Sequence, residues 1–144
     1  MKLLELGHRP ALRIVAVPFS EWDQSANIQA IELSADQSAK ELSPFLATLK
    51  LIVLNFPIFR DGRAFSQARA LREYEKFQGE IRVQGHILPD QAEFLYRCGV
   101  DSVVLPDKAN EEPWHRERER FRVAYQISTQ NESSFGPGLK RHIN

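Results

Sequence analysis

Between Phe56 and Glu73 the chain reads FPIFRDGRAFSQARALRE, which sets one aspartate, one serine and four arginines where a strand hands over to a helix. The apolar run Lys50 to Phe56 marks the strand, and Ala64, Ala68 and Leu71 at 3.6-residue spacing mark the helix. A junction of this kind can bind an oxyanion. Gly62 lets another group approach the backbone, the first amides of the helix are unpaired, and Arg63 and Ser66 add donors suited to phosphate, sulfate, sulfite or carboxylate. The plain structural reading is that Asp61 caps the turn while the arginines are solvated. Arg69 falls on the flank of this helix. Arg72 falls on its inward face, so its guanidinium must reach out to solvent or pair with a carboxylate.

A second group follows the next strand, in GHILPDQ. An imidazole at His86 can donate a proton near neutral pH, and Asp90 and Gln91, in the first turn of the following helix, can orient it or a ligand. The structural reading is that Asp90 meets the positive end of the helix dipole and Gln91 bonds loop backbone. Cys98, just before Gly99, sits at a helix C-terminus, where the dipole raises a thiol pKa, so a buried, unreactive side chain is expected. As the only cysteine, it excludes an internal disulfide, a cysteine-ligated zinc site and a four-thiolate cluster within one chain. No complete G-x-G-x-x-G follows a strand. Redox catalysis by the isolated chain would need a borrowed cofactor, whose identity stays open.

Four runs are expected to be the strands that position these groups: Ile28 to Leu33, Lys50 to Phe56, Glu80 to Gly85 and Ser102 to Pro106, with Leu12 to Val17 as a fifth of uncertain place. Helices are expected over Arg63 to Lys76 and Pro89 to Cys98, with a loop and a short helix capped by Ser43 and Pro44 between Ser34 and Leu49. The alternation predicts an α/β fold, an open parallel sheet of four to five strands with flanking helices, flavodoxin-like or Rossmann-like. Half of a β/α barrel completed by dimerisation is the alternative, which leaves a homodimer open. Residues 1–127 form one domain, closed by a helix starting near Pro113 that carries Trp114, Phe121 and Tyr125, and residues 128–144 are expected to be a disordered tail. In a parallel sheet the loops after the strands open on one edge. Asn55, Arg60, Asp61, Arg63, Ser66, His86, Asp90, Gln91, Asp107 and Lys108 should therefore share a rim.

Nineteen basic and nineteen acidic residues cancel, so no overall positive field recruits nucleic acid or a membrane surface, and any anion binding must be local. The N-terminal stretch is too broken by charge for a signal-peptide core or a membrane span. A cytoplasmic location is expected.

The series F-P-x-F-x-D-G-R, S-x-A-R-x-L-R, G-E-x-R, G-x-x-L-x-D-Q and R-C-G-x-D, spread over about Ile28 to Gln126, resembles a bacterial domain-of-unknown-function family. Its members are typically encoded beside assimilatory sulfite reductase and are described as oxidoreductases or accessory proteins of sulfite reduction. Gln84 and His86 depart from the pattern, which has a small and an acidic residue around Gly85. The resemblance implies an accessory protein that docks on sulfite reductase or its electron donor through an Arg-rich rim. The alternative it leaves is a small oxyanion- or nucleotide-binding oxidoreductase of the same pathway. In either case it draws Asp61, Gly62, Arg63, Ser66, Arg69, Arg72, Asp90 and Gln91 into the ligand or partner site.

Overall fold

A computed structural model of the chain describes residues 2–25, 27–58 and 62–120. It contains a six-stranded sheet made of β1 (Lys2–Glu5), β2 (Val17–Pro18), β3 (Ala30–Leu33), β4 (Leu51–Phe56), β5 (Glu80–Gly85) and β6 (Ser102–Leu105), in the order β1-β6-β5-β4-β3-β2. Strands β2 to β6 are parallel, and β1 adds antiparallel to the β6 edge. The open parallel α/β sheet with flanking helices expected from sequence is thus present. Two differences concern its edges. β1 was not anticipated, because KLLE is too short to carry a pattern and its partner lies a hundred residues away. Of the run Leu12 to Val17 only the last residue joins a strand, and the rest crosses one face of the sheet as an unpaired strap.

Neighbours in the parallel sheet are also neighbours in sequence, so the order never reverses as it does in flavodoxin-like and Rossmann-like windings. Right-handed crossovers that always step in one direction put every helix on the same face, as in a β/α barrel. The core reflects this. Ile31, Leu33, Ile52, Leu54, Phe56, Ile81, Val83 and Val103 point to the helical side, against Leu42, Ala64, Ala68, Leu71, Ala92, Leu95 and Trp114. On the other face a small cluster of Ala30, Leu51 and Val53 is covered by Leu12, Ile14 and Ala16 of the strap.

The first connection is a 3₁₀ helix, Ala39–Phe45, rather than a helix started by Ser43 and Pro44. Its cap is Ser38, whose Oγ accepts from Lys40 N at 3.2 Å while Glu41 Oε2 accepts from Ser38 N at 3.0 Å. This reciprocal cap outcompetes the later proline signal. Helix α1 (Arg63–Arg69) continues as a π-helical turn, Ala70–Tyr74. A 3₁₀ turn at Pro89–Gln91 leads into α2 (Ala92–Arg97), and α3 covers 112–120 with Trp114 buried. Phe121, Tyr125 and the expected tail 128–144 lie outside the described residues.

Two buried carboxylates organise the amino end of the sheet. Asp101, fully buried, accepts from Arg72 Nη2 at 2.6 Å, from Ile81 N at 2.8 Å and from Arg9 Nη1 at 3.3 Å. Arg72 spends its other donors on the carbonyls of Phe77, Gly79 and Gly99. Burial lowers the pKa of this guanidinium, and Asp101 opposes that shift. Gly99 has φ +92°, and a Cβ there would stand 2.5 Å from Arg72 Cγ, so glycine is required for the arginine to pass. Glu80 accepts from Ser102 Oγ at 2.5 Å and pairs with Arg82 at 3.0 Å.

Arg72→Ala would leave Asp101 buried beside fewer donors and three carbonyls unpaired. Removing one member of a buried pair costs about 3–5 kcal/mol. Urea unfolding followed by circular dichroism should show a loss of this order, and a change within about 0.5 kcal/mol of the parent, the usual range for surface substitutions, would refute the structural role.

Candidate functional site

The parallel run of β4 and β5 sends the loops after Phe56 and after Gly85 out at the same edge, as do the loops after β3 and β6. Where the β4 and β5 loops diverge, the backbones are in contact. His86 N donates to Phe56 O at 2.9 Å, and a Cβ on Gly85, whose φ is +106°, would lie 2.3 Å from that same oxygen.

Two shallow depressions open on this rim. One, of about 370 Å³, is lined by Ser34, Ala35, Asp36, Asn55, Pro57 and Arg63. The other, of about 450 Å³, is lined by Leu88, Pro89, Asp90, Pro113, Arg116 and Glu117. In the first, Ser34 Oγ donates to Asp36 Oδ1 at 2.6 Å. That bond, helped by the Asp36 backbone and by the Arg63 charge, holds the Asp36 carboxyl below the ordinary aspartate value. Gln67, buried on α1, ties the loop down by donating to the carbonyls of Ser34 (2.9 Å) and Gln37 (2.7 Å), which leaves its own Oε1 buried with no partner. On the adjoining sheet face Gln84 donates to Glu32 and, at 2.8 Å, to Asn55 Oδ1.

The residues singled out from sequence divide along the length of α1. Arg63 stands at the rim and faces Asp36, with Gly62 beside it and Ser66 exposed one turn below. Gly62 has ordinary dihedrals (φ −88°, ψ −2°), and a Cβ there would meet nothing within 4 Å. The chain's own conformation therefore does not call for glycine here. Approach by an outside group remains. Arg69 lies further down the helix, paired with Glu73 at 3.7 Å. Arg72 lies at the opposite end of the sheet, bound to Asp101, which is the structural pairing weighed above. Asp61 is outside the described residues. Asp90 lines the second depression, and Gln91 Oε1 accepts from Leu88 N at 2.8 Å, bonding loop backbone. Cys98 is buried, and that burial pushes its thiol pKa up, in the expected direction but chiefly through desolvation rather than the helix dipole. Among the described residues no group of three or more His, Cys, Asp or Glu side chains is placed to hold a metal ion, and no helix is long and apolar enough to cross a membrane.

Sequence reading missed the first loop. Leu33-Ser34-Ala35-Asp36 directly follows a strand, and a serine two residues before an aspartate is a side-chain turn signal that would have brought Asp36 to the rim. It also missed the rim's apolar character. Phe56, Phe65 and Phe94 form a ladder with ring centroids 5.0 and 4.7 Å apart, running outward from the core. Ile58, Leu88 and Phe94 are exposed beside it.

Because the folded-state pKa of Asp36 is depressed, this carboxylate adds stability above its unfolded value that is lost as pH falls through the folded one. Side-chain NMR titration should place its midpoint below the ordinary 3.8. Ser34→Ala should move it upward, and an unmoved midpoint would remove the assigned cause.

Comparison with curated proteins and with solved structures gives no match. Residues 30–135 match the family model described as a bacterial protein of unknown function, DUF934. That span takes in four of the five parallel strands, β3 to β6, and both depressions, and the chain belongs to the DUF934 family.

Proposed function

We propose that this chain is an accessory protein of assimilatory sulfite reduction that docks on sulfite reductase or its electron donor through the rim at the carboxyl ends of the strands. The pathway rests on the family resemblance. The docking mode rests on the character of the rim, where Ile58 (62% exposed), Phe94 (48%) and Leu88 (43%) stand among Arg63, Asp90 and Arg116 around open depressions. Apolar and aromatic side chains ringed by charge are what protein contacts use, and aromatic residues and arginine concentrate their binding energy. The basic contribution is narrower than four arginines suggest, since Arg69 and Arg72 descend away from the rim. Arg63 and Phe94 are the anchors.

A small oxyanion- or nucleotide-binding oxidoreductase is the second reading. It is favoured by Gly62, where a Cβ would meet none of the described residues within 4 Å, next to the Arg63 guanidinium.

Capture from a lysate of sulfate-grown cells should retain sulfite reductase or its electron donor. Phe94→Asp and Arg63→Glu should each reduce capture at least tenfold without altering the circular dichroism spectrum, and Arg69→Glu should reduce it less. Stoichiometric calorimetric binding of sulfite, adenylyl sulfate or a flavin, with no capture, would transfer the assignment to the enzyme. Absence of both signals would overturn both readings.

A further inference from the structure

We propose that the sheet face opposite the helices is a docking groove for an extended segment of a partner polypeptide, filled in this chain by its own strap, residues 9–16. The central observation is a main-chain clamp. Glu80 and Arg82, both buried and paired with each other, grip both peptide groups of one strap residue: Leu12 N donates to Glu80 Oε1 at 2.7 Å, and Arg82 Nη2 donates to Leu12 O at 2.7 Å. Such a clamp reads extended backbone whatever side chain it carries, as sheet-edge recognition does. Selectivity comes from what flanks it. Arg9 reaches Asp101 at 3.3 Å and Gln78 O at 2.9 Å, while Leu12, Ile14 and Ala16 alternate onto Ala30, Leu51 and Val53. The groove therefore fits an arginine followed at the third and fifth positions by apolar residues and at the seventh by a small one.

Two further observations mark the strap as a placeholder. The groove walls, Ala30, Leu51, Val53, Glu80, Arg82 and Asp101, all lie inside the family match, whereas the strap lies before it. The strap is held by its backbone rather than by burial, with Ala11 N donating to Glu5 Oε2 at 2.7 Å beside the Leu12 clamp. None of residues 9–16 is buried, Val15 is 89% exposed, and strand pairing begins only at Val17. Segments with few buried contacts open at low cost. A tethered segment nonetheless enjoys an effective concentration in about the millimolar range, so a partner competes well only when the strap is loosened. This groove is separate from the rim, and its test is independent of the rim's.

The probe is an acetylated, fluorescein-labelled peptide of residues 7–18, GHRPALRIVAVP, titrated into the full chain by fluorescence polarisation. Leu12→Asp, which loosens the strap, should bind it at least tenfold more tightly than the parent chain. Adding Arg82→Ala should abolish the gain, as should changing Leu12, Ile14 and Ala16 of the peptide to aspartate. A folded Leu12→Asp chain that does not bind the peptide overturns the proposal. Dimerisation by strap exchange, read by light scattering, would assign the groove to a second copy and overturn the partner. If Leu12→Asp does not fold, hydrogen exchange on the parent decides. Amides of 11–16 exchanging at least a hundredfold faster than those of β4 support a displaceable strap, and equal rates overturn it.

Discussion

The handedness of the crossover is the constraint on which the rest depends. Each of the steps from β3 to β4, β5 and β6 advances one place in the same direction. A right-twisted strand packs its connection back on the sheet only one way, so every helix is forced onto one face. Parallel sheets ordinarily have both faces covered and both apolar. Here, among the described residues, the second face has no helix, and its composition follows: Glu32, Asn55, Glu80, Arg82, Gln84 and Ser102 occupy positions that in a doubly wound sheet would be aliphatic. The strap is the local answer to that exposure. It covers Ala30, Leu51 and Val53, and the backbone groups of Leu12 are met by the clamp of Glu80 and Arg82.

The two ends of the sheet have been given different work. At the amino end, charge is buried and saturated. Asp101 and Arg72 satisfy each other and the backbone around them, an arrangement that rigidifies because any unpaired member would be costly in a low-dielectric setting. At the carboxyl end, charge is exposed and interleaved with aromatic surface. α1 spans the distance between the two, which is why one arginine-rich helix contributes Arg63 to one end and Arg72 to the other. Each end also has a glycine that permits a close approach within the chain, Gly85 at the carboxyl end and Gly99 at the amino end.

Much of this was legible from the residues. The strand runs carried near-continuous apolar sequence, the helices carried 3.6-residue spacing, and the inward position of Arg72 demanded a partner before any was known. What could not be read was which carboxylate would serve. Asp101 is 29 residues from Arg72, and the sequence offers nineteen acidic residues; only the register of β5 beside β6 brings Asp101 under the guanidinium. Asp36 was overlooked for a related reason, since its meeting with Arg63 depends on β3 lying next to β4. The run Leu12 to Val17 resembled a strand because alternation reports one buried side, and a strap lying across a sheet face buries one side in the same way as a paired strand does.

By itself, then, the sequence determined the local elements, the single-cysteine chemistry, the neutral overall charge and the need to pair Arg72, because each of these follows from periodicity or composition within a few residues. Tertiary structure alone decided that the winding runs one way, that aromatic side chains stand among the charges of the rim, and that Glu80 and Arg82 hold the strap. Those outcomes depend on which distant strands lie side by side, and adjacency in a sheet is set by chain-wide packing that no short stretch of residues encodes.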